Sequence, residues 1–264
     1  MKIVSTLHLI GLSSAIIAGL AHGQVLFTEN FESYTVHSNL NGQSGWTVDN
    51  TGNNNIVWVE NGTLLTGSKV LAGHTNDIGN ISFAQKALSS ALSPSAITTL
   101  MFDAYATTVS PVTQNFSLGF ARQGLPNAFP FVRDSQVAYW GASSSGSMWS
   151  FEASTAHGSS ASASFSSQYD KPVHLGVVVD GPAGMIYGVY DFGSGVTGET
   201  PHYTISSNMI ASMDAITAAV QYGFGGGEFD NISVQAVPEP ATYALMAGLA
   251  ALIGVVIRWR SRQV

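Results

Sequence analysis

Residues 173–191 read VHLGVVVDGPAGMIYGVYD and contain the clearest fold signal in the chain. Val173–Asp180 and Met185–Asp191 are short runs rich in β-branched and aromatic residues, which are the residues enriched in strands. The segment Gly181-Pro182-Ala183-Gly184 stands between them, and clustered glycine and proline mark a turn. The stretch therefore predicts a β-hairpin.

Other β-patterned runs lie on both sides of this hairpin, separated by Gly, Asn, Ser and Pro. We predict strands at 56–59, 63–65, 81–84, 98–106, 116–121, 136–140, 147–153 and 229–235, short helices at 85–92 and 209–220, and loops at 143–147 and 159–167. The pair at 56–59 and 63–65 flanks Asn61-Gly62, a hairpin signal. Many short strands joined by turns predict an all-β fold, a two-sheet antiparallel β-sandwich, with a barrel as the alternative.

Two stretches near the ends of the body favour a jelly roll among sandwiches. Residues 27–46 read FTENFESYTVHSNLNGQSGW, and residues 228–234 read EFDNISV. The pairing of these stretches resembles the concanavalin A-like, or laminin G-like, jelly rolls, and so does the hairpin at 173–191. The resemblance implies that the first and last strands lie side by side and that the hairpin belongs to the back sheet.

A polar motif, an apolar run and a basic cluster follow one another in residues 237–264. They are Val237, Pro238, Glu239 and Pro240; residues 241–257; and Arg258, Arg260 and Arg262. The uncharged run would extend about 25 Å as a helix, at the short end for a hydrocarbon core of roughly 30 Å. We expect a transmembrane helix whose arginines stay on the cytoplasmic side, with a buried helix of a soluble domain as the alternative.

This three-part tail resembles the PEP-CTERM sorting signal of Gram-negative bacteria. The resemblance implies recognition by an exosortase, a membrane-embedded cysteine transpeptidase, and cleavage near Pro238-Glu239-Pro240. It also implies that the protein leaves the inner membrane for the cell envelope or the extracellular space, often in organisms that make extracellular polysaccharide. It does not imply what the body binds.

The N-terminal segment agrees with export. Lys2 precedes the largely apolar residues 3–20, and Ala21-His22-Gly23 offers the small residues that a signal peptidase reads. We expect a signal peptide at 1–23, with an uncleaved anchor as the alternative. The predicted organisation is then a signal peptide, a β-sandwich domain at 24–236 and a PEP-CTERM signal at 237–264 with a transmembrane helix at 241–257.

Composition excludes several classes of site and partner. The chain has no cysteine, which excludes zinc–thiolate sites and cysteine nucleophiles. Five of its nine Lys and Arg residues and 15 of its 16 Asp and Glu residues lie within 24–236, which gives that body a formal charge of −10. A body without a basic stripe does not suit nucleic acid.

Acids near both ends of the body suggest a metal site. If the terminal strands are neighbours, Glu29, Glu32 and Asp230 can meet. Carboxylate oxygens in an extracellular domain suit Ca²⁺, and related jelly rolls carry a structural Ca²⁺ between such strands. The alternative is that these side chains are exposed or accept hydrogen bonds from loop amides.

The sequence does not predict an enzyme. A glycosidase needs a pair of carboxyl groups across a cleft, but Asp103 and Glu152 each stand alone on a predicted strand. No G-x-S-x-G elbow and no H-E-x-x-H motif occurs. His174 is expected on a sheet face.

Two hypotheses of different class remain for the body. One is a structural or adhesive surface protein of the extracellular matrix, and the alternative is a carbohydrate-binding module for extracellular polysaccharide. A polysaccharide hydrolase or lyase would need the missing carboxylate pair. The side chains available for stacking on sugar rings are Trp46, Trp58, Trp140, Trp149 and Tyr139. Tryptophan is usually core in a sandwich, and we expect at least two of the four to be buried.

Overall fold

Two antiparallel sheets form the body in a computed structural model, which describes residues 23–36, 40–50, 57–62, 65, 69–74, 81–106, 115–123, 136–143, 148–156, 159–166, 169–221 and 225–238. The strands of the described residues are β1 (Gln24–Glu29), β2 (Trp46–Asn50), β3 (Val57–Asn61), β4 (Lys69–His74), β5 (Ile81–Ala87), β6 (Ala96–Ala106), β7 (Asn115–Ala121), β8 (Gln136–Ser143), β9 (Met148–Ala156), β10 (Ser159–Ser166), β11 (Val173–Asp180), β12 (Met185–Asp191), β13 (Thr197–Glu199), β14 (Tyr203–Thr204), β15 (Ala215–Gln221) and β16 (Gly225–Pro238). A 3₁₀ turn at Gln43–Gly45 and a helix α1 at Ser207–Ala211 complete the described elements.

The strand order confirms the predicted all-β sandwich. Sheet A runs in the order β13-β12-β11-β6-β16-β4-β3, with β1 also paired to β16 and β14 to β12. Sheet B runs in the order β10-β9-β8-β7-β15-β5-β2. Both sheets are antiparallel throughout the described pairs. Each contributes one face to a shared core, as in two-layer β folds.

The hairpin at 173–191 forms as the sequence predicts. β11 and β12 pair from His174 opposite Asp191 to Asp180 opposite Met185. Leu175 and its alternate neighbours Val177 and Val179 are fully buried, because β11 lies between β12 and β6 and points every second side chain into the core.

The first and last strands lie side by side, which confirms the arrangement that the resemblance to jelly rolls implied. β1 pairs antiparallel with β16, from Gln24 opposite Ala236 to Glu29 opposite Ile232. β16 is the longest described strand at 14 residues. It pairs with β6 along one edge and with β4 and then β1 along the other.

Tryptophans at three positions belong to the core. Trp46, Trp140 and Trp149 have no exposed surface, which confirms the expectation that at least two would be buried. The Trp140 indole donates a 2.7 Å hydrogen bond from Nε1 to the carbonyl of Gly176 in the opposite sheet. A buried indole N–H needs such a partner, so this bond fixes how the two sheets face each other.

Local predictions were wrong in three places. Residues 85–87 of the predicted helix at 85–92 extend β5 instead. The predicted helix at 209–220 is replaced by the short helix α1 followed by β15. Residues 159–166 form β10 instead of a loop. The hairpin partner of β3 is β4; residues 63–64 of the predicted partner lie outside the described residues.

The predicted terminal helices lie outside the described residues. This applies to residues 1–22 of the predicted signal peptide at 1–23 and to the predicted transmembrane segment at 241–257. Within the part of the chain that the structure describes, no helix has the length and apolar character needed to cross a bilayer.

Candidate functional site

The centre of β16 is a junction where this strand changes partner. Gly225 to Phe229 pair with β4, whereas Ile232 to Ala236 pair with β1. A bulge opposite β6 separates Asp230 from Ser233, and Asn231 has a positive φ of 51°. Asparagine tolerates this left-handed conformation better than most residues. The sequence DNIS at 230–233 therefore lets β16 kink and pass from one partner to the next.

The Glu29 carboxylate lies beside this junction and contacts several groups. Its Oε2 accepts from the Tyr34 hydroxyl at 2.5 Å and from Trp46 Nε1 at 3.3 Å, and it lies 3.7 Å from Lys86 Nζ. Its Oε1 accepts the backbone N–H groups of residues 30 and 31, both at 3.2 Å. Burial, followed by this hydrogen bond to Glu29, raises the pKa of Tyr34 to about 12. Glu29 therefore fixes the segment after β1 to the core.

Asp230 lies on the other side of the sheet from Glu29. Glu29 stands opposite Ile232, whose side chain is in the core, and opposite residues of an antiparallel pair share a face. Phe229 also points into the core, so its neighbour Asp230 points outward. Burial raises the pKa of Asp230, and the negative charge of nearby Glu32 adds to this effect. The structure thus separates Glu29 from the other two predicted calcium ligands.

The buried Asp230 carboxylate is only partly satisfied. Asp230 is 3% exposed, and its Oδ1 has no hydrogen-bond partner. Burial raises its pKa to about 6, opposed by a backbone hydrogen bond at Asn231 and reinforced by the negative charges of Asp103, Glu32 and Glu228. Glu228 is itself buried and accepts the backbone N–H of Leu65 at 2.8 Å. Asp230 is therefore a costly charge in the folded protein at neutral pH.

A polar triplet extends the junction across the outer face of sheet A. The His174 ring contacts Asp103 through Nδ1 and Oδ1, and Asn231 Nδ2 donates to the other Asp103 oxygen at 2.8 Å. Asp103 and His174 are opposite each other on β6 and β11. Asp103 is therefore held between two partners, which matches the expectation of His174 on a sheet face. The sequence singled out Asp103 only as an isolated acid, because strands 71 residues apart bring the pair together.

A shallow pocket opens at the same junction. Its volume is about 330 Å³. It is lined by Thr28, Glu29, Asn30, Asn231, Ile232 and Ser233. The pocket exists because β1 ends at Glu29 just where β16 is kinked. Its size is at the lower end of small-molecule sites.

The predicted calcium ligands do not form a metal centre as a trio. Among the described residues, no group of three or more His, Asp or Glu side chains is arranged to hold a metal ion. Glu32 contacts Lys69, accepting its backbone N–H through Oε1 at 3.2 Å and its Nζ through the main-chain oxygen at 2.7 Å. Of the three predicted ligands, only Asp230 has a buried side-chain oxygen without a hydrogen-bond partner among the described residues.

Removing the Asp230 charge is expected to stabilise the protein at neutral pH. The folded-state pKa of about 6 exceeds the ordinary value of 3.8, so wild-type stability should fall as the pH rises from about 4 through 6. The variant D230N should abolish this decline and raise the free energy of unfolding by about 1–2 kcal/mol at pH 7. Thermal unfolding between pH 4 and 8 measures both effects.

Three other acids face Asp230, namely Asp103, Glu32 and Glu228. Asp103 contacts His174, and Glu32 accepts a hydrogen bond from Lys69. D170N makes the same substitution at an exposed position and should leave the pH profile unchanged. An equal pH dependence in D230N and wild type would show that Asp230 is not the titrating group.

A second polar surface crosses the outer face of sheet B. Its members, here called the polar row, stand opposite one another on successive strands. They are Gln85, Thr217, Tyr139 and Glu152, with Gly119 between Thr217 and Tyr139. Side chains at adjacent positions, such as Trp140 and Phe151, point into the core, so the polar row points away from it.

Hydrogen bonds hold the polar row in place. Gln85 Nε2 donates to Thr217 Oγ1 at 3.2 Å and to the carbonyl of Arg122 at 3.0 Å. The Tyr139 hydroxyl donates to Glu152 Oε2 at 2.6 Å. Gly119 is needed at its position because a Cβ there would lie 2.4 Å from the Tyr139 Cβ. Tyr139 and Glu152 are half-buried, whereas Gln85 and Thr217 are buried.

The sorting motif begins within β16, the last strand of the chain that the structure describes. Val237 and Pro238 are the last residues of β16, opposite Ile97 and Ala96 of β6. Glu239, Pro240 and the arginines at 258, 260 and 262 lie outside the described residues. A family model described as the PEP-CTERM protein-sorting motif matches residues 236–262. The chain carries a PEP-CTERM sorting motif. This motif implies export and processing by an exosortase, with anchoring by the C-terminal tail before cleavage.

Solved structures share the fold of the body, although no curated protein matches the chain. Lectin II from Ulex europaeus matches with a TM-score of 0.52 and 8% identity over 81% of this chain and 99% of that one. A carbohydrate esterase from the Shiga toxin-encoding bacteriophage phi24B matches with a TM-score of 0.55 and 13% identity over 82% and 100%. The sandwich is therefore a lectin-like, concanavalin A-like jelly roll.

A third structure shares the same fold. The metal-free VIP36 exoplasmic/lumenal domain matches with a TM-score of 0.51 and 10% identity over 83% of this chain and 94% of that one. At these identities the likeness shows the fold alone.

Proposed function

We propose that this protein is an exported surface or extracellular-matrix protein whose β-sandwich acts without catalysis, as a structural or adhesive domain. The observation that carries the proposal is the continuity of β16 with the PEP-CTERM motif, which joins the last strand of the sandwich to the sorting signal without a linker. A signal peptidase acting before Gln24 and an exosortase acting at the motif are its processing partners.

The chemistry of the described acids supports a non-catalytic role. The carboxylate of Asp103 is held by His174 and Asn231, and that of Glu152 by Tyr139. Glu29 is tied to the core. A hydrolase would need two carboxyl groups facing one cleft. Asp103, Glu152 and Glu29 lie on different faces of the sandwich, and Asp230, which stands opposite Asp103, is buried. The nucleophile elbow of a serine esterase is missing from the sequence.

A carbohydrate-binding module is the second candidate, and the polar row favours it. Fixed hydroxyl, amide and carboxylate groups on the outer face of sheet B are the groups that bind sugar hydroxyls. Lectin II shares the fold of the body. The buried Trp46, Trp140 and Trp149 are not available for stacking. Among the side chains that the structure describes on this surface, Tyr139 is the aromatic candidate.

A glycan array on the full-length protein separates the two candidates. If the body binds extracellular polysaccharide, the variant Y139A/E152A should bind at least about tenfold more weakly, because two hydrogen-bonding groups are lost. The matched control is D103N/H174A, which removes a hydrogen-bonded polar pair from the outer face of sheet A. If Y139A/E152A binds glycans as tightly as the wild type does, the polar row is not the binding site. An array on which the wild type binds no glycan would favour the structural role.

Calcium is proposed only at Asp230 and Glu32. The support is the buried, unpartnered oxygen of Asp230 beside other acids, since Ca²⁺ would satisfy that oxygen and neutralise the local charge. Thermal unfolding of the wild type and D230N also tests calcium binding. Ca²⁺ should raise the melting temperature of the wild type at pH 7 and leave D230N unchanged. An identical wild-type melting temperature in Ca²⁺ and in EDTA would exclude the ion.

A further inference from the structure

β10 is an open edge of the sandwich. It comprises Ser159–Ser166, reads SSASASFS and ends sheet B beside β9. Among the described strands, β9 is its sole partner. In an antiparallel strand, every second residue directs its N–H and C=O toward one side. The side of β10 that faces away from β9 therefore offers a row of backbone donors and acceptors along eight residues.

β10 differs from the other sheet edges in charge. Four of the other described edge strands each contain an acid: Glu29 in β1, Asp49 in β2, Glu60 in β3 and Glu199 in β13. The remaining one, β14, has only two residues. β10 contains no charged residue and no proline. Charges, prolines and very short edge strands prevent pairing with another sheet, so β10 is the described edge strand that lacks these protections.

The sequence of β10 is complementary to itself. Serine occupies positions 160, 162, 164 and 166, and Ala161, Ala163 and Phe165 occupy the positions between them. If two copies pair antiparallel about Ala163, every serine faces a serine on one face. On the other face, Phe165 faces Ala161 at both ends, so that each large ring stands beside a small side chain. Ser–Ser pairs across strands can form hydrogen bonds.

We propose that β10 pairs antiparallel with β10 of a second copy of this chain, about a two-fold axis at Ala163, so that sheet B continues from one copy into the other. A second copy is the occupant that this symmetry selects, because a two-fold contact requires a self-complementary surface. The body carries a formal charge of −10, so identical copies repel at most contacts. An uncharged edge is where that repulsion is smallest.

Cysteine crosslinking tests the pairing directly, since the chain has no native cysteine. Ser162 and Ser164 are exposed and stand opposite each other across the proposed axis. Directly opposite Cβ atoms lie about 4.5–5.5 Å apart, within reach of a short thiol crosslinker. Full-length S162C and S164C proteins carrying different tags are mixed in detergent and crosslinked. We expect the mixed S162C–S164C dimer to exceed the dimers that either variant forms with itself.

The matched control uses the edge strand of the other sheet. Thr197 and Glu199 are two residues apart and exposed on β13, and a T197C–E199C mixture should remain uncrosslinked. Equal crosslinking of the two mixtures, or none in the S162C–S164C mixture, would overturn the proposal. A dominant S162C–S162C dimer would overturn the axis at Ala163.

A charge variant provides an independent measurement. S162K/S164K places like charges on both sides of the axis, and like charges opposite each other destabilise strand pairing. Light scattering of the full-length protein should show the wild type at twice the protomer mass and S162K/S164K at the protomer mass, with the same melting temperature at low protein concentration. A wild type of protomer mass at every concentration, or S162K/S164K of doubled mass, would contradict the proposed contact.

Discussion

Replacing Trp140 by alanine should lower the free energy of unfolding by about 4 kcal/mol. Trp140 is fully buried and contacts the rings of Phe151 and Phe165, with centroids 5.6 and 5.8 Å from its own. The substitution leaves a cavity between the sheets and removes the indole hydrogen bond to Gly176. A domain stabilised by some 5–15 kcal/mol would lose a large share of its stability. Urea unfolding followed by circular dichroism measures the change.

Two further variants separate the causes. W140F keeps an aromatic ring but removes the N–H donor and part of the ring volume, so its cost should be smaller, about 1–3 kcal/mol including the unsatisfied carbonyl. V196A changes an apolar side chain that is 45% exposed and should stay within about 0.5 kcal/mol of the wild type. A loss below about 1 kcal/mol in W140A would mean that Trp140 does not join the two sheets.

Replacing Pro238, Glu239 and Pro240 by alanine should leave the full-length chain in the membrane. The motif begins with the last paired residues of β16, Val237 and Pro238, and proline keeps itself and its predecessor in extended backbone. The wild type should be trimmed and leave the membrane fraction, whereas the P238A/E239A/P240A variant should accumulate uncut. Immunoblots of the membrane, envelope and medium fractions measure the two forms.

The control for this experiment lies a few residues upstream. Gln235 is exposed on β16, and Q235A should be trimmed like the wild type. If P238A/E239A/P240A is trimmed and released as efficiently as Q235A, the motif does not direct processing. Mass spectrometry of the wild-type product would in addition locate its new C-terminus. Cleavage beyond Pro238 would preserve every residue that pairs with β6.

Strong local patterns led to correct predictions of the sandwich. The β11–β12 hairpin has β-branched runs on both sides of a Gly-Pro turn, so local sequence and final structure agree. The pairing of β1 with β16 was also predictable, although it joins the two ends of the body. It followed from a resemblance to jelly rolls and not from local preference.

The failures share one physical cause, which is that sheet context overrides local preference. β15 reads AITAAVQ, and alanine favours a helix in isolation. Between β5 and β7, however, all seven residues of β15 pair with a strand on each side, and this sheet context outweighs the helix preference. β10 reads as a loop because alternating serine and alanine give almost no hydrophobic signal, and only pairing with β9 makes it a strand.

The candidate site was harder to predict than the fold. Asp230, Asp103 and His174 come from three strands, and the bulge at Asn231 interrupts the regular alternation of side chains along β16. Glu29 illustrates the difficulty best. Its carboxylate points into the core, where it contacts Tyr34 and Lys86. Lys86 belongs to another strand, far away in sequence, and local pattern does not predict that contact.

The length of β16 has a consequence for how the protein leaves its anchor. Its 14 residues, at about 3.3 Å each, give a path of roughly 45 Å from Gly225 to Pro238. Pro238 is both the last paired residue of this strand and a member of the motif. Cutting the tail beyond Pro238 would therefore detach the body from its anchor without opening the sheet.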